Sequence, residues 1–79
     1  MMNDGRNARW RRTAVGFERR GAVVFAPREW FVPYARWRCD WAAVNELGIL
    51  VCGKRGGDTA AEALRRAKCA ASWARRSRR

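Results

Sequence analysis

The stretch Tyr34–Trp41, which reads YARWRCDW, sets two tryptophans, a tyrosine and two arginines close together. Rings mixed with guanidinium groups can stack on unpaired bases and hold the phosphates between them. The same rings are what a small protein needs to fill a core. Alternation separates the two uses. Side chains along a strand point by turns to opposite faces, so Ala35, Trp37, Cys39 and Trp41 share one face, while Tyr34, Arg36, Arg38 and Asp40 share the other. The first set reads as core. The second reads as a surface on which the ring of Tyr34 lies beside two cations.

Other chemistry-bearing residues are few. The chain has no histidine, which removes the commonest general acid–base and the commonest metal ligand. The acidic residues are scattered, with no pair at a spacing that suggests two cooperating carboxylates. Cys39, Cys52 and Cys69 show no C-x-x-C spacing and have no histidine base, so neither a zinc site nor a nucleophilic thiol is expected. Their odd number suits reduced thiols in a cytosol. A Cys39–Cys52 bridge between neighbouring strands is the alternative. The run GKRGGDT, from Gly53 to Thr59, places glycines, Lys54 and Arg55 ahead of a helix, but its order is not that of a nucleotide-binding P-loop. It offers only free N–H groups at a helix start beside Lys54 and Arg55, suited to a backbone phosphate, with Asp58 opposing from the same place. No catalytic residue, cofactor or metal is expected.

A scaffold must position these residues, and 79 residues allow one domain. A chain this short buries only about 60% of the surface its unfolded form exposes. Trp10, Trp30, Trp37, Trp41 and Trp73 must therefore supply much of the core or be shared with a partner. Residues 1–11 read as a basic arm. From Thr13 a strand-like run, TAVGFE, meets a turn at RRG and returns as AVVFA, which is the pattern of a hairpin. PREWFVP lies between Pro27 and Pro33 and reads as an irregular connection or edge segment carrying Trp30 and Phe31. After the opening stretch, NELG is a turn and ILVC a short strand ending at Gly53. GKRGG then reads as a flexible basic loop.

The last element is a helix. Thr59 and Glu62 form a capping-box pattern, in which hydroxyl and carboxylate each satisfy an orphan backbone N–H, and Asp58 adds negative charge at the positive end. Ala60, Ala63, Leu64, Ala67, Ala70, Ala71 and Ala74 fall on one face, small enough for close packing on a sheet. Arg65, Lys68, Ser72, Arg75 and Arg76 take the opposite side, with Cys69 and Trp73 at the border. The final RRSRR is expected to fray. The order implies an α+β fold: a small antiparallel sheet of three or four strands with one C-terminal helix packed on one face. Residues 12–53 supply the sheet and 58–76 the helix of a single domain, and 77–79 its frayed tail.

The net charge is +11, and all but Lys54 and Lys68 of the 18 basic residues are arginine. Such a charge bears on partners rather than on fold, and polyanions come first: DNA, RNA or an acidic protein surface. Guanidinium is a rigid fork suited to phosphate and carboxylate. No run approaches the roughly 18 apolar residues of a membrane span, and the first residues lack the apolar core of a secretory signal. A cytoplasmic place in a prokaryotic host is expected, without a membrane partner.

The segment GGDTAAEALRRAKCAASWA, Gly56 to Ala74, resembles the end of HicB-type antitoxin domains. There a strand leads through Gly-Asp-Thr into a helix with a Glu-Ala-x-x-x-Ala-x-x-Ala pattern, matched here by Gly57, Asp58, Thr59, Glu62, Ala63, Ala67 and Ala70. The resemblance covers about a quarter of the chain and implies a partial double-stranded-RNA-binding-like sheet with a helix. The Pro-Gly turn usual in that family before its third strand is missing from VNELGILV. The arm-binding domains of phage integrases end in a similar Thr-x-x-Glu-Ala helix. In size and charge alone, the chain is also similar to small phage-encoded anti-CRISPR proteins.

The expected function is a non-enzymatic regulator or inhibitor of the phage or mobile-element type, docking on nucleic acid or on a complex that processes it. The alternatives are a sequence-tolerant DNA- or RNA-binding module, or an antitoxin-like partner that masks a toxin and dimerises through a sheet edge. The candidate binding residues are Arg9, Arg11, Arg12, Tyr34, Arg36, Arg38, Lys54, Arg55, Arg65, Lys68, Arg75 and Arg76.

Overall fold

The long strand that begins in the YARWRCDW stretch is the spine of the molecule. In a computed structural model that describes residues 9–76, the chain runs β1 (Arg11–Arg12), β2 (Gly16–Arg19), β3 (Ala22–Phe25), β4 (Arg28–Val32), β5 (Ala35–Val44), β6 (Leu50–Gly57) and α1 (Ala60–Arg76). All strand pairings are antiparallel. One side of β5 pairs with β6 from Trp37 opposite Gly57 to Val44 opposite Leu50. Its other side is shared, with β3 at the C-terminal half and β4 at the N-terminal half. β2 pairs with β3, and β1 pairs with β2. The free edges among the described strands are therefore β1, β6 and the outer side of β4.

Local chemistry sets the turns. Gly21 (φ 76°) and Gly48 (φ 81°) take left-handed backbone that residues with a Cβ rarely adopt. The carboxamide of Asn45 accepts hydrogen bonds from the N–H groups of Leu47 (2.8 Å) and Ile49 (3.0 Å), which closes the β5–β6 turn. At the helix start, Thr59 Oγ1 accepts from the N–H of Glu62 at 3.0 Å, and Glu62 Oε1 accepts from the N–H of Asp58 at 2.9 Å. The reciprocal cap is thus present, with the carboxylate reaching one residue further back than in the usual box.

The core is thin because the helix contributes almost only methyl groups. Ala63, Ala67 and Ala71 are fully buried against Ala22, Val24, Cys39, Trp41 and Ala43. Leu64, Ala70 and Ala74 flank them, as do Trp10 and Trp37. Trp41 is the one large side chain buried in this cluster, and glycine makes room for it: a Cβ on Gly53 would stand 2.7 Å from its ring. Cys39 lies beneath α1, its thiol donating to the carbonyl of Phe25 at 3.0 Å.

Several expectations change. The sheet has six strands, not three or four. GKRGG is not a loop but the second half of β6, because β5 offers ladder partners along its whole length. PREWFVP contains β4, whose pairing with β5 shifts register between Glu29 and Val32; the prolines bracket the strand without interrupting it. Arg11 belongs to β1 rather than to an arm. Trp73 stays 72% exposed and adds nothing to the core. Cys39 and Cys52 are both free and face opposite sides of the sheet, so they do not pair. The remainder of the arm up to residue 8, and the tail 77–79, lie outside the described residues. Among the described residues no helix is long and apolar enough to cross a membrane.

Candidate functional site

The helix covers one face of the sheet, and among the described residues no element covers the other. Cross-strand pairing fixes what that uncovered face displays, because residues directly opposite share a face. Arg38 stands between Arg28 of β4 and Gly56 of β6, Asp40 opposite Lys54, Ala42 between Val23 and Cys52, and Val44 opposite Leu50. The face is therefore graded. Its turn end is apolar, continued by the exposed Leu47 and Ile49. Its other end is cationic.

Trp30 organises the cationic end. The guanidinium of Arg38 lies 5.5 Å from its ring centroid and the ammonium of Lys54 6.0 Å, both within the range of cation–π attraction. Tyr34, in the turn before β5, meets the same ring edge-on, with centroids 5.6 Å apart and planes at 83°. Tyr34 is 74% exposed. Asp40 is the local anchor: it accepts from Arg38 Nε at 3.1 Å and Nη2 at 3.0 Å, and pairs with Arg28 at 3.6 Å. This fork-to-carboxylate contact holds Arg38 in place and neutralises part of its charge.

Beside Trp30 and Tyr34 a groove of ≈ 670 Å³ runs toward the helix start, walled by Lys54, Arg55, Asp58 and Arg66. Arg66 is already committed, donating to the carbonyl of Gly56 at 3.0 Å and pairing with Glu62 at 2.7 Å. The helix N-terminus is likewise occupied by its own cap, so it offers no free anion site. The glycines of the groove are there for packing. A Cβ at Gly56 would meet Ala35 at 2.9 Å and Trp30 at 3.2 Å, and one at Gly57 would meet the backbone of Ala63 at 2.7 Å.

The candidate residues divide into groups. Tyr34, Arg36, Arg38 and Lys54 come together at the cationic end, with Arg55 on the groove wall. Arg36 is exposed and makes no hydrogen bond or ion pair among the described residues. Arg9 and Arg11 lie at the far side of the sheet, where Arg11 pairs with Glu18 at 2.8 Å. Arg12 lies over Phe17 (5.6 Å), and Lys68 over both Phe17 (4.3 Å) and Trp10 (5.9 Å). Lys68 is therefore folded onto the sheet flank instead of standing free on the helix. The same correction applies to Arg75, which lies across Gly21 and donates to the carbonyl of Val44 at 3.2 Å. Arg65 and Arg76 remain on the exposed side of α1. Sequence reasoning missed Trp30 and Arg28 as parts of the site. Their signal was the alternation within PREWFVP, masked by the flanking prolines.

Burial under the helix and the nearby carboxylate of Asp40 push the Cys39 thiol up to about 11, against a smaller opposing pull from Lys68. A thiol so held is protonated and inert at neutral pH. Among the described residues no group of histidine, cysteine or carboxylate side chains could hold a metal ion.

No family model matches the chain, and no curated protein or solved structure matches it either.

Proposed function

We propose that this chain is a small, non-enzymatic, strongly basic docking protein that binds nucleic acid through the cationic end of its uncovered sheet face. Its role would be that of a regulator or inhibitor of the anti-CRISPR-like kind carried by phages and mobile elements, acting in a prokaryotic cytoplasm. One observation carries the reading. Trp30, Tyr34, Arg38 and Lys54 form a pre-ordered cation–aromatic cluster on a face that no described element covers, next to an unpaired Arg36. A histidine-free chain with a charge of +11 supports docking over catalysis.

The test is binding to mixed-sequence DNA and RNA oligonucleotides at two salt concentrations. With Arg28, Arg36 and Lys54 each neutralising one phosphate, affinity for a single strand should fall roughly 20-fold between 50 and 200 mM salt. Absence of binding at low salt would sink the reading. Co-purification from a host with and without nuclease then identifies the other outcome, in which a nuclease-resistant complex shows an acidic protein surface as the partner.

A second reading, an antitoxin-like partner, is favoured by one junction. β6 passes through Gly57, Asp58 and Thr59 into α1, as the resemblance to HicB-type domains implies. The free edge of β6 would then pair with a toxin or with a second copy. A nuclease-resistant complex lost on substituting proline for Val51 or Arg55 would support it.

A further inference from the structure

Resting on the nucleic-acid reading, we infer that the ligand is a single strand, with one unpaired nucleotide seated in the groove beside Tyr34 and its phosphates held along Arg36 and Lys54. The argument begins with which charges are free. Arg38 is held by Asp40, Arg66 by Glu62 and the Gly56 carbonyl, and Arg11 by Glu18. Among the described residues Arg36 has no hydrogen-bond or ion-pair partner, Lys54 lies over the Trp30 ring without an ion pair, and Arg55, on the helix side opposite Cys39, bonds the carbonyl of its neighbour Lys54 at 3.0 Å. All three are exposed. On the helix side of the groove Asp58 and Glu62 offset Arg55 and Arg66, so the uncommitted positive charge stands on the uncovered face. The backbone of the ligand must follow Arg36 and Lys54 on that face.

The ring that is free to stack is Tyr34. Trp30 already carries two cations, whereas Tyr34 is 74% exposed at the mouth of the groove and fixed edge-on against Trp30. A ring held in place before binding loses little freedom when a base settles on it. In a duplex the base faces are hidden inside the stack, so an exposed tyrosine has nothing to meet. Duplex reading instead needs an element that enters a groove, and no described element projects from this face. The groove's ≈ 670 Å³ lies within the range of sites that take one small ligand. Asp58 on the far wall can accept a hydrogen bond from a base's amino group, which makes it an asset for a base where it would be a liability for a phosphate.

The experiment is fluorescence anisotropy of the full chain with a labelled 20-nucleotide strand and with the same strand annealed to its complement, at one salt concentration. The single strand is expected to bind at least about 10-fold more tightly than the duplex. Tyr34→Ala should weaken single-strand binding on the order of 10-fold, leave duplex binding unchanged, and leave the melting temperature unchanged because the side chain is exposed. Tyr34→Phe should restore most of the single-strand affinity. Equal affinities, tighter duplex binding, or a silent Tyr34→Ala would overturn the inference while leaving the nucleic-acid reading intact. Failure of either oligonucleotide to bind would overturn both.

Discussion

Two clusters on opposite sides of the sheet are made from the same residue types, cations over aromatic rings. At the β1–β2 side, Lys68 from α1 sits over Phe17 and Trp10, Arg12 lies over Phe17, and Arg19 lies 5.7 Å from Trp10. These residues come from four different segments, so the contacts cross the seam between helix and sheet and act as a clasp. At the β4–β6 side, Arg38 and Lys54 lie over Trp30 on a face with nothing described above it. A cation over a ring is a tie where it bridges two packed elements. Where the pair is left facing water beside uncommitted charge, it is a surface ready for a ligand.

The largest expected effect separates the buried ring from the displayed one. Trp41→Ala should cost about 3–5 kcal/mol, comparable with the whole stability of a small domain, about 5 kcal/mol. Its far-UV circular dichroism should show no cooperative melt. Trp30→Ala should keep a cooperative melt and lose oligonucleotide binding. A Trp30→Ala chain that was unfolded would break the division between core ring and docking ring.

Next comes the comparison of the two cation clusters at equal change of net charge. Arg36→Glu with Lys54→Glu should reduce oligonucleotide affinity by more than about 10-fold with an unchanged melting temperature. Arg12→Glu with Lys68→Glu should do the reverse, lowering stability by about 1–3 kcal/mol through three lost cation–π contacts while changing affinity much less. Arg38 is left in place in this design. A glutamate there would stand beside Asp40 and lose the 3.0 Å ion pair, confusing binding with stability.

The cysteines sharpen the contrast between faces more gently. Cys52 and Cys69 are exposed and Cys39 is buried, so a thiol reagent at neutral pH should label the first two at once and Cys39 only on unfolding. The raised Cys39 thiol also gives stability a pH dependence. The folded chain holds its proton up to about 11, whereas the unfolded thiol ionises near its ordinary 9.0. The contribution is full below pH 9 and is lost as pH rises from 9 toward 11. The difference in melting temperature between the native chain and Cys39→Ala should therefore narrow over that interval; a constant difference would show that the thiol is not so held.

The smallest effect concerns the Nε1 of Trp41, which is buried without a hydrogen-bond partner. Trp41→Phe removes that unpaired donor while vacating some volume. The two terms oppose each other, and a change within about 1 kcal/mol in denaturant melts is expected. A loss as large as that of Trp41→Ala would mean that the indole nitrogen is satisfied in solution.

Much of this layout was legible in one dimension. The split of β5 into a core face with Trp41 and a displayed face with Arg36 and Arg38 is read directly from alternation. The helix start is written in Thr59 and Glu62, and its packing stripe in the alanines. Lys68 and Arg75 were misplaced because a helical wheel says which side a residue occupies, not how far a long side chain bends back. Lys68 reaches Phe17, and Arg75 reaches the hairpin turn at Gly21.

What the sequence determined by itself is whatever depends on neighbours a few residues away: the faces of β5, the hairpin at Gly21, the capped helix and the basic balance. Only tertiary structure made GKRGG a strand and Trp30 part of the site. Glycines carry no side-chain period to read, and Gly53 and Gly56 find their role only when the rings of Trp41 and Trp30 lie against them. Trp30 comes to meet Lys54 only because both β4 and β6 pair with β5. That juxtaposition is set by ladder hydrogen bonds between distant segments, which no local pattern records.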